Sequence, residues 1–168
     1  MNGFLRRNAL IALLALALAG SLFIIFKSTN MEKETKAPAF INPPGLYDPA
    51  PNAYSHIAEV PAGNTLVLIS GQGGETADGN LVNDFRAQLR QSLSNLDTAL
   101  KSQGLAFSDV VKLTTLIVDH NEEKLKIFTE ESLRLWPDKK FPANTLIPVP
   151  RLALDGMLVE IDATAVKR

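Results

Sequence analysis

Apolar side chains in the middle of this chain recur at intervals of three or four residues, the spacing that forms one stripe along an α-helix. The first stripe consists of Leu81, Phe85, Leu89, Leu93, Leu96 and Leu100. It predicts a helix whose first turn is capped by Asn83 or Asn80, since their side chains accept hydrogen bonds from free backbone N–H groups. Gly104 is well placed to end this helix in the left-handed conformation.

A second apolar stripe predicts a second helix further along the chain. It consists of Leu125, Phe128 and Leu135. Asp119 and Glu122 have the spacing of a capping box at the start of this helix. Trp136-Pro137 follows the stripe and is expected to end the helix, because proline cannot continue it.

Short runs of β-branched and other apolar residues predict strands before and between the helices. These runs are Thr65–Ser70, Asp109–Val118 and a shorter one at Ala39–Asn42. The glycines Gly71, Gly73 and Gly74 follow the first run and are typical of a turn. No lysine follows them, so they do not have the pattern of a phosphate-binding loop.

The stretch from Phe141 to Ala165 predicts two further strands, joined by a loop around Leu154-Asp155-Gly156. Its second half alternates, so that one side carries Met157, Val159, Ile161, Ala163 and Ala165. Glu160 and Asp162 therefore share the opposite side of the strand. Two carboxylates near the end of a strand indicate either an exposed sheet edge or the wall of a site.

Strands and helices in this order predict an α+β fold, in which two helices pack on one face of a sheet. The other face of the sheet must also be covered. In a domain this small, other copies of the same chain are the natural cover.

The N-terminus has a different apolar pattern, an unbroken run from Ala9 to Phe26 that follows Arg6 and Arg7. The run has about the length that a membrane-spanning helix needs, roughly 17 to 25 residues. Residues 1–30 are therefore predicted to be a membrane anchor, with the rest in the periplasm or outside the cell. The alternative is a signal peptide, cleaved near Ala17-Leu18-Ala19, and a secreted product. Residues 31–37 read as a tether and residues 38–168 as the folded domain.

The composition excludes several classes of functional site but does not identify the function. The 168-residue chain has a formal net charge of −1 and no cysteine. The charge gives no reason to expect nucleic acid as a partner. The missing cysteines exclude disulfides, thiolate metal sites and a cysteine nucleophile. His56 and His120 stand alone, so no metal site is expected.

Six short motifs then occur in a set order. They are Ala53-Tyr54-Ser55-His56, Ile69-Ser70-Gly71-Gln72, Ala87-Gln88 with Asn95-Leu96, Asp109-Val110-Val111-Lys112, Phe141-Pro142-Ala143 and Val159-Glu160-Ile161. Together they resemble the RidA family, also called YjgF, reactive intermediate deaminase or endoribonuclease L-PSP. The resemblance implies a chorismate-mutase-like fold and a homotrimer with small-molecule sites in clefts between subunits. It also implies hydrolysis of enamines or imines to 2-oxo acids and ammonia, without a metal or organic cofactor.

The resemblance also assigns roles to residues of this chain. Glu160 matches the glutamate that orients water or exchanges a proton with the imine, and Tyr54 matches a tyrosine that lines the pocket from the adjoining subunit. Gly71 matches a strand-end glycine whose backbone comes close to the ligand. Leu146 is expected to contribute main-chain groups.

One position departs from the family pattern. Deaminating members have an arginine after Phe-Pro-Ala that pairs with the substrate carboxylate, whereas this chain has Asn144. An amide cannot replace the charged, bidentate grip of a guanidinium. Asn144 and Thr145 offer neutral hydrogen bonds, which suit an uncharged or amide-like ligand better than a carboxylate.

Three classes of function remain open at this point. The first is an exported hydrolase for an imine, an enamine or a related C–N compound with altered specificity. The second is a trimeric module that binds a ligand in the same cleft without catalysis. The third, RNA cleavage, is disfavoured by the near-neutral charge.

Overall fold

The computed structural model describes residues 35–168. The predicted anchor, residues 1–30, and the first residues of the predicted tether lie outside this part. Within residues 35–168, no helix has the length and hydropathy that a membrane span requires. The described elements are β1 (Ala39–Ile41), β2 (Ile57–Glu59), β3 (Thr65–Gly73), α1 (Phe85–Ser102), β4 (Val110–Val118), α2 (Glu122–Leu135), β5 (Ala143–Val149) and β6 (Val159–Lys167).

The main sheet has four strands in the order β3-β6-β4-β5. Strand β6 pairs antiparallel with both β3 and β4, whereas β4 and β5 run parallel. The parallel pair is possible because α2 provides the crossover connection that parallel neighbours need. Strands β1 and β2 form a separate two-stranded sheet, and β2 was not predicted from the sequence.

The core lies between the main sheet and the two helices, which confirms the predicted α+β arrangement. Residues of the first helical stripe, including Leu89, Leu96 and Leu100, are fully buried there. They pack in one cluster with Phe128 of α2 and with the inward side of β6. That side of β6 alternates as predicted, with Val159, Ile161, Ala163 and Ala165 all buried.

Both predicted helix starts are corrected by the structure. Helix α1 is capped by Asp84, whose Oδ1 accepts a hydrogen bond from Ala87 N at 2.9 Å, and not by Asn83 or Asn80. The reason is tertiary, since Leu81 packs with Met157 in a second apolar cluster outside the helix.

At α2 the cap is Asn121, whose Oδ1 accepts a hydrogen bond from Lys124 N at 2.9 Å. The predicted capping box is wrong, because Asp119 has a φ of 48° and lies before the cap. The predicted helix ends are close to the observed ones. Gly104 has a φ of 70° just after α1, and Trp136 follows the last residue of α2.

Strand β3 is longer than predicted and includes Gly71 and Gly73, which the sequence pattern assigned to a turn. Its register against β6 shifts between Ile69 and Gln72, where one extra residue forms a β-bulge. A bulge bends a strand and redirects its side chains, and bulges are frequent beside active sites.

The face of the main sheet that lies away from the helices is open within residues 35–168. Leu68 is 77% exposed and Leu66 is 55% exposed on β3, and Ile147 on β5 is 40% exposed. Large apolar side chains on one sheet face are typical of a surface that another protein copy covers.

Candidate functional site

Glu160 and Gly71 meet where β6 pairs with the end of β3. A Cβ atom built on Gly71 would lie 1.8 Å from Oε1 of Glu160, a distance that real atoms do not adopt. The carboxylate therefore occupies the space that any side chain at position 71 would fill. Glycine is required here because of this close approach.

Glu160 borders a cleft of 880 Å³ between the end of β3 and helix α1, called here the Glu160 cleft. The residues of this cleft that matter for its chemistry are Gly71, Glu75, Gln91, Asn95, Met157 and Glu160. Glu160 is half-buried, so its carboxylate is open to a ligand in the cleft. A partly desolvated carboxylate that remains accessible can exchange protons with a bound molecule.

Helix α1 fixes the wall of the Glu160 cleft through Asn95. Its Nδ2 donates to Gly73 O at 3.0 Å and to Glu75 O at 2.8 Å. Gln91 Nε2 donates to Asn95 Oδ1 at 2.9 Å, which orients the amide. The side chain of Asn95 thus holds the strand end, and the sequence pointed to this residue only through the family motif.

Gln88 ties the same helix to the loop before β6. This residue is almost completely buried. Its Nε2 donates to Gly156 O at 2.8 Å, and its Oε1 accepts from Leu158 N at 2.8 Å. A buried amide with all its groups paired fixes local geometry, because breaking any of these bonds leaves a polar group unsatisfied. Gln88 therefore sets the position from which β6 carries Glu160.

Four other predicted site residues lie together elsewhere on the domain. They line a depression of 400 Å³ at the edge of the sheet, called here the Tyr54 depression. All the residues that line it are Tyr47, Asn52, Tyr54, Leu125, Phe128, Asn144, Thr145 and Leu146. The predicted residues thus form two groups in one chain. Tyr54, Asn144, Thr145 and Leu146 line the depression, whereas Gly71 and Glu160 line the cleft.

Asn144 is oriented by a buried hydroxyl. Thr115 Oγ1, on the neighbouring strand β4, donates to Asn144 Oδ1 at 3.1 Å. This bond engages the amide oxygen and leaves the NH₂ group as the polar end that a ligand can meet. Asn144 therefore offers a neutral donor where deaminating members are expected to have a charged one.

Thr145 also lines the depression, but its hydroxyl accepts a hydrogen bond from Lys112 Nζ. Burial lowers the pKa of the Lys112 ammonium, and the charge of nearby Asp162 offsets this effect in part.

Arg151, further along the same segment, does not replace the guanidinium that is missing at Asn144. Its own guanidinium pairs with Asp155 at 2.9 Å in the loop between β5 and β6.

Tyr47 and Tyr54 form the rim of the Tyr54 depression, and His56 packs against both rings. Tyr47, Tyr54 and His56 pack edge to face, with ring centroids 5.3 to 6.3 Å apart. The hydroxyls of Tyr47 and Tyr54 are hydrogen-bonded, and His56 Nε2 lies 2.9 Å from Tyr47 O. Sequence analysis missed Tyr47, whose position before the first motif gave no signal.

Fold and site define a small α+β domain with two helices on one sheet face. At the end of β3, the carboxylate of Glu160 lies against Gly71. The chain belongs to the family described as Endoribonuclease L-PSP, whose model matches residues 47–167. This result confirms the predicted RidA membership.

Individual relatives agree with this assignment. A RutC family protein of Haemophilus influenzae is 35% identical over 147 residues, which cover 83% of this chain and 98% of the relative. A 2-iminobutanoate/2-iminopropanoate deaminase of Salmonella typhimurium is 34% identical over 105 residues, which cover 62% of this chain and 81% of the relative.

A solved structure shows the same fold. The Rid family protein YyfB of Yersinia pestis, described as having unknown function, superposes with a TM-score of 0.73 at 35% identity. The match covers 77% of this chain and 98% of the YyfB chain.

Proposed function

We propose that this protein hydrolyses the C=N bond of an imine, or of the imine tautomer of an enamine, to a carbonyl compound and ammonia, with a specificity that differs from that of 2-imino acid deaminases. The observation that carries the proposal is the Glu160 carboxylate, held in an open cleft against Gly71. Relatives named as imine deaminases support the reaction class.

The proposed reaction needs one group that accepts and returns a proton. Glu160 takes a proton from water as the water oxygen bonds to the imine carbon and the π pair moves to nitrogen. Glu160 then gives a proton to that nitrogen. The hydroxyl of this carbinolamine then passes its proton through Glu160 to the amino nitrogen, the C–N bond breaks, and the carbonyl forms as ammonia leaves. Such proton transfer contributes about 10²- to 10⁴-fold to rate.

The complete site is proposed to form between copies of the chain in a homotrimer. The Tyr54 depression of one copy would meet the Glu160 cleft of the next, so that Tyr54 and Asn144 face the carboxylate. The exposed leucines Leu66 and Leu68 support this assembly, since burying them removes apolar surface from water.

Turnover by the full-length protein tests the proposal. Imines are generated in situ by an oxidase, from 2-aminobutanoate and from simple primary amines, and the remaining imine is trapped with semicarbazide. We expect hydrolysis of at least one imine, and a loss of about 100-fold or more in the Glu160→Gln variant.

Glu59→Gln is the matched control, because Glu59 is an exposed carboxylate on β2, outside both groups of site residues. This variant should keep the parent rate. Equal rates in Glu160→Gln and the parent would contradict the role of Glu160.

Asn144 favours a second candidate, a ligand-binding module that uses the same cleft without catalysis. Without a guanidinium, a 2-imino acid loses its main anchor. A folded trimer that binds carbonyl compounds but hydrolyses no imine would support this module. Turnover of 2-iminobutanoate that appears only in Asn144→Arg would show an intact scaffold with another natural ligand.

A further inference from the structure

A second carboxylate, that of Glu75, lies at the wall of the Glu160 cleft. We propose that the ligand of this site carries a positive charge and no carboxylate, and that Glu75 selects for this charge. The inference rests on the proposed site and deepens it by naming a class of ligand, a cationic imine or amine.

The placement of Glu75 repeats that of Glu160. A Cβ atom built on Gly73 would lie 2.3 Å from Oε2 of Glu75 and 2.1 Å from Cε of Met157, whereas one on Gly71 would collide with Glu160 alone among its nearest neighbours. Two glycines, two residues apart on β3, thus each leave room for a carboxylate. Residues at this spacing are about 6–7 Å apart along a strand, so one small ligand can meet both carboxylates.

The backbone of Glu75 is fixed on both sides. Asn95 Nδ2 donates to its carbonyl oxygen at 2.8 Å, and Glu75 forms an isolated antiparallel bridge with Leu81. The position of the side chain therefore results from a held strand end rather than from a free loop. A held group can discriminate between ligands, because it does not move away from a poor one.

The charges of the residues around the site also favour a cationic ligand. Glu75 and Glu160 are the charged residues among those that line the Glu160 cleft, and those of the Tyr54 depression are uncharged. Lys112 lies near the depression, and its ammonium donates to Thr145. A ligand carboxylate would face two carboxylates here without a guanidinium to bind it, which disfavours such a ligand.

The rim of the Tyr54 depression also suits a cation. The faces of Tyr47 and Tyr54 carry the negative side of the aromatic quadrupole, which attracts ammonium and iminium groups. In the proposed trimer these rings lie across from Glu75 and Glu160. A positively charged ligand would then meet carboxylates on one wall and aromatic rings on the other.

Three carbonyl compounds of matched size separate charge from shape. They are 2-oxobutanoate, butan-2-one and 1-aminobutan-2-one, which are anionic, neutral and cationic products of imine hydrolysis. Binding to the full-length protein is measured by ligand-observed NMR at about pH 6, below the pKa of about 7.7–8 for an ordinary α-amino group.

We expect the cation to bind more tightly than the neutral ketone, and the anion to bind most weakly. Glu75→Gln should weaken cation binding roughly five- to tenfold and leave the neutral ketone unchanged, since it removes one close charge. Glu59→Gln should change neither. Asn144→Arg should improve binding of 2-oxobutanoate, which tests the same charge argument without altering Glu75.

Three results would overturn the inference. The first is tightest binding of 2-oxobutanoate by the parent protein, and the second is a Glu75→Gln variant that behaves like Glu59→Gln. The third is no binding of any of the three ketones, in which case imine turnover alone would decide the proposed function.

The two proposals remain separable. Selective cation binding that depends on Glu75, without imine turnover, retains the ligand class and refutes hydrolysis. Turnover with preference for 2-iminobutanoate retains hydrolysis and refutes the ligand class.

Discussion

At Gly71 the lack of a side chain is what allows Glu160 to lie against β3. The backbone at this position does not need the left-handed conformation, because Gly71 is not among the residues with positive φ. Alanine is therefore compatible with the local backbone, and the three atoms that its Cβ would approach most closely are the Oε1, Cδ and Cγ atoms of the Glu160 side chain. This separation makes it possible to displace the carboxylate without disrupting the strand.

We expect Gly71→Ala to reduce imine turnover by about 100-fold, since displacing a reacting group by about 1 Å has an effect of this size. The free energy of unfolding should fall by only about 0.5–1.5 kcal/mol, because the flexible end of Glu160 can rotate away. Steady-state kinetics and thermal unfolding measure the two effects. Ser70→Ala, at an exposed neighbour, is the control, and full activity in Gly71→Ala would refute the close-approach argument.

Residue-scale features differed in how well the sequence predicted them. Glu160 was named from the strand alternation and a family motif, and Gly71 from a family motif. Glu75 was missed because it follows glycines that resemble a turn. Its position depends on the β-bulge and on Asn95, neither of which leaves a periodic signal. The position of Glu75 is thus set by contacts between distant parts of the chain, which the hydrophobic pattern of the sequence does not record.

At the scale of elements, helices α1 and α2 are joined by a group of charges around Glu131. This side chain is only 6% exposed and pairs with Arg86 at 2.7 Å, Arg90 at 2.9 Å and Arg134 at 3.2 Å. Burial alone would raise the pKa of Glu131, but hydrogen bonds from Arg90 and Arg86 outweigh it and hold the pKa below its usual value.

The lowered pKa predicts how stability depends on pH. Because the folded state holds the proton of Glu131 less tightly than the unfolded state does, this contribution is present above the unfolded pKa of about 4.3. It is lost as the pH falls through the folded-state pKa. Glu131→Gln should therefore lower the free energy of unfolding by about 2 kcal/mol at neutral pH, with a smaller difference below about pH 4.

Urea unfolding of parent and variant between about pH 3 and pH 7 provides the measurement. Glu130→Gln is the comparison, because Glu130 is more exposed and pairs with Arg86 at 2.8 Å. It should produce a smaller change than Glu131→Gln. A Glu131 effect that is constant over this pH range would contradict the charge-based explanation.

Helices and strands were predicted well where burial on a single side gives a regular hydrophobic pattern. The apolar stripe of α1 and the alternation of β6 reflect burial on a single side, so the sequence records them directly. Helix starts were predicted less well. Asn80, Asn83 and Asp84 can all cap a helix, and the packing of Leu81 against the cluster that contains Met157 selects Asp84.

At the scale of the whole molecule, the open sheet face predicts assembly. Leu68 is more exposed than any other large apolar residue in residues 35–168. Leu68→Glu should prevent formation of the homotrimer, because a buried, unpaired carboxylate strongly disfavours an interface. Light scattering would show monomers, and turnover should fall because the two groups of site residues separate.

Leu154→Glu is the control for assembly, since Leu154 is also exposed but lies in the loop between β5 and β6. It should assemble like the parent. A parent protein that is itself monomeric would refute both the trimer and the site between copies.

Attachment to a membrane through residues 1–30 also belongs to this scale and remains a prediction. The apolar run from Ala9 to Phe26 should keep the full-length chain in the membrane fraction after washing with salt or carbonate. A variant that starts at Met31 should leave that fraction. Recovery of a soluble product whose N-terminus is Gly20 would instead indicate cleavage of a signal peptide.

Glu160 lies apart from Tyr54 and Asn144 within one chain. Two variants that are each inactive can therefore form an active site when they are produced together. In the proposed ring, a copy without Glu160 still offers an intact depression to its neighbour. A copy with a damaged depression still offers an intact carboxylate. A mixed ring of the two contains one interface at which both halves are sound, so two inactive alleles would restore part of each other's activity.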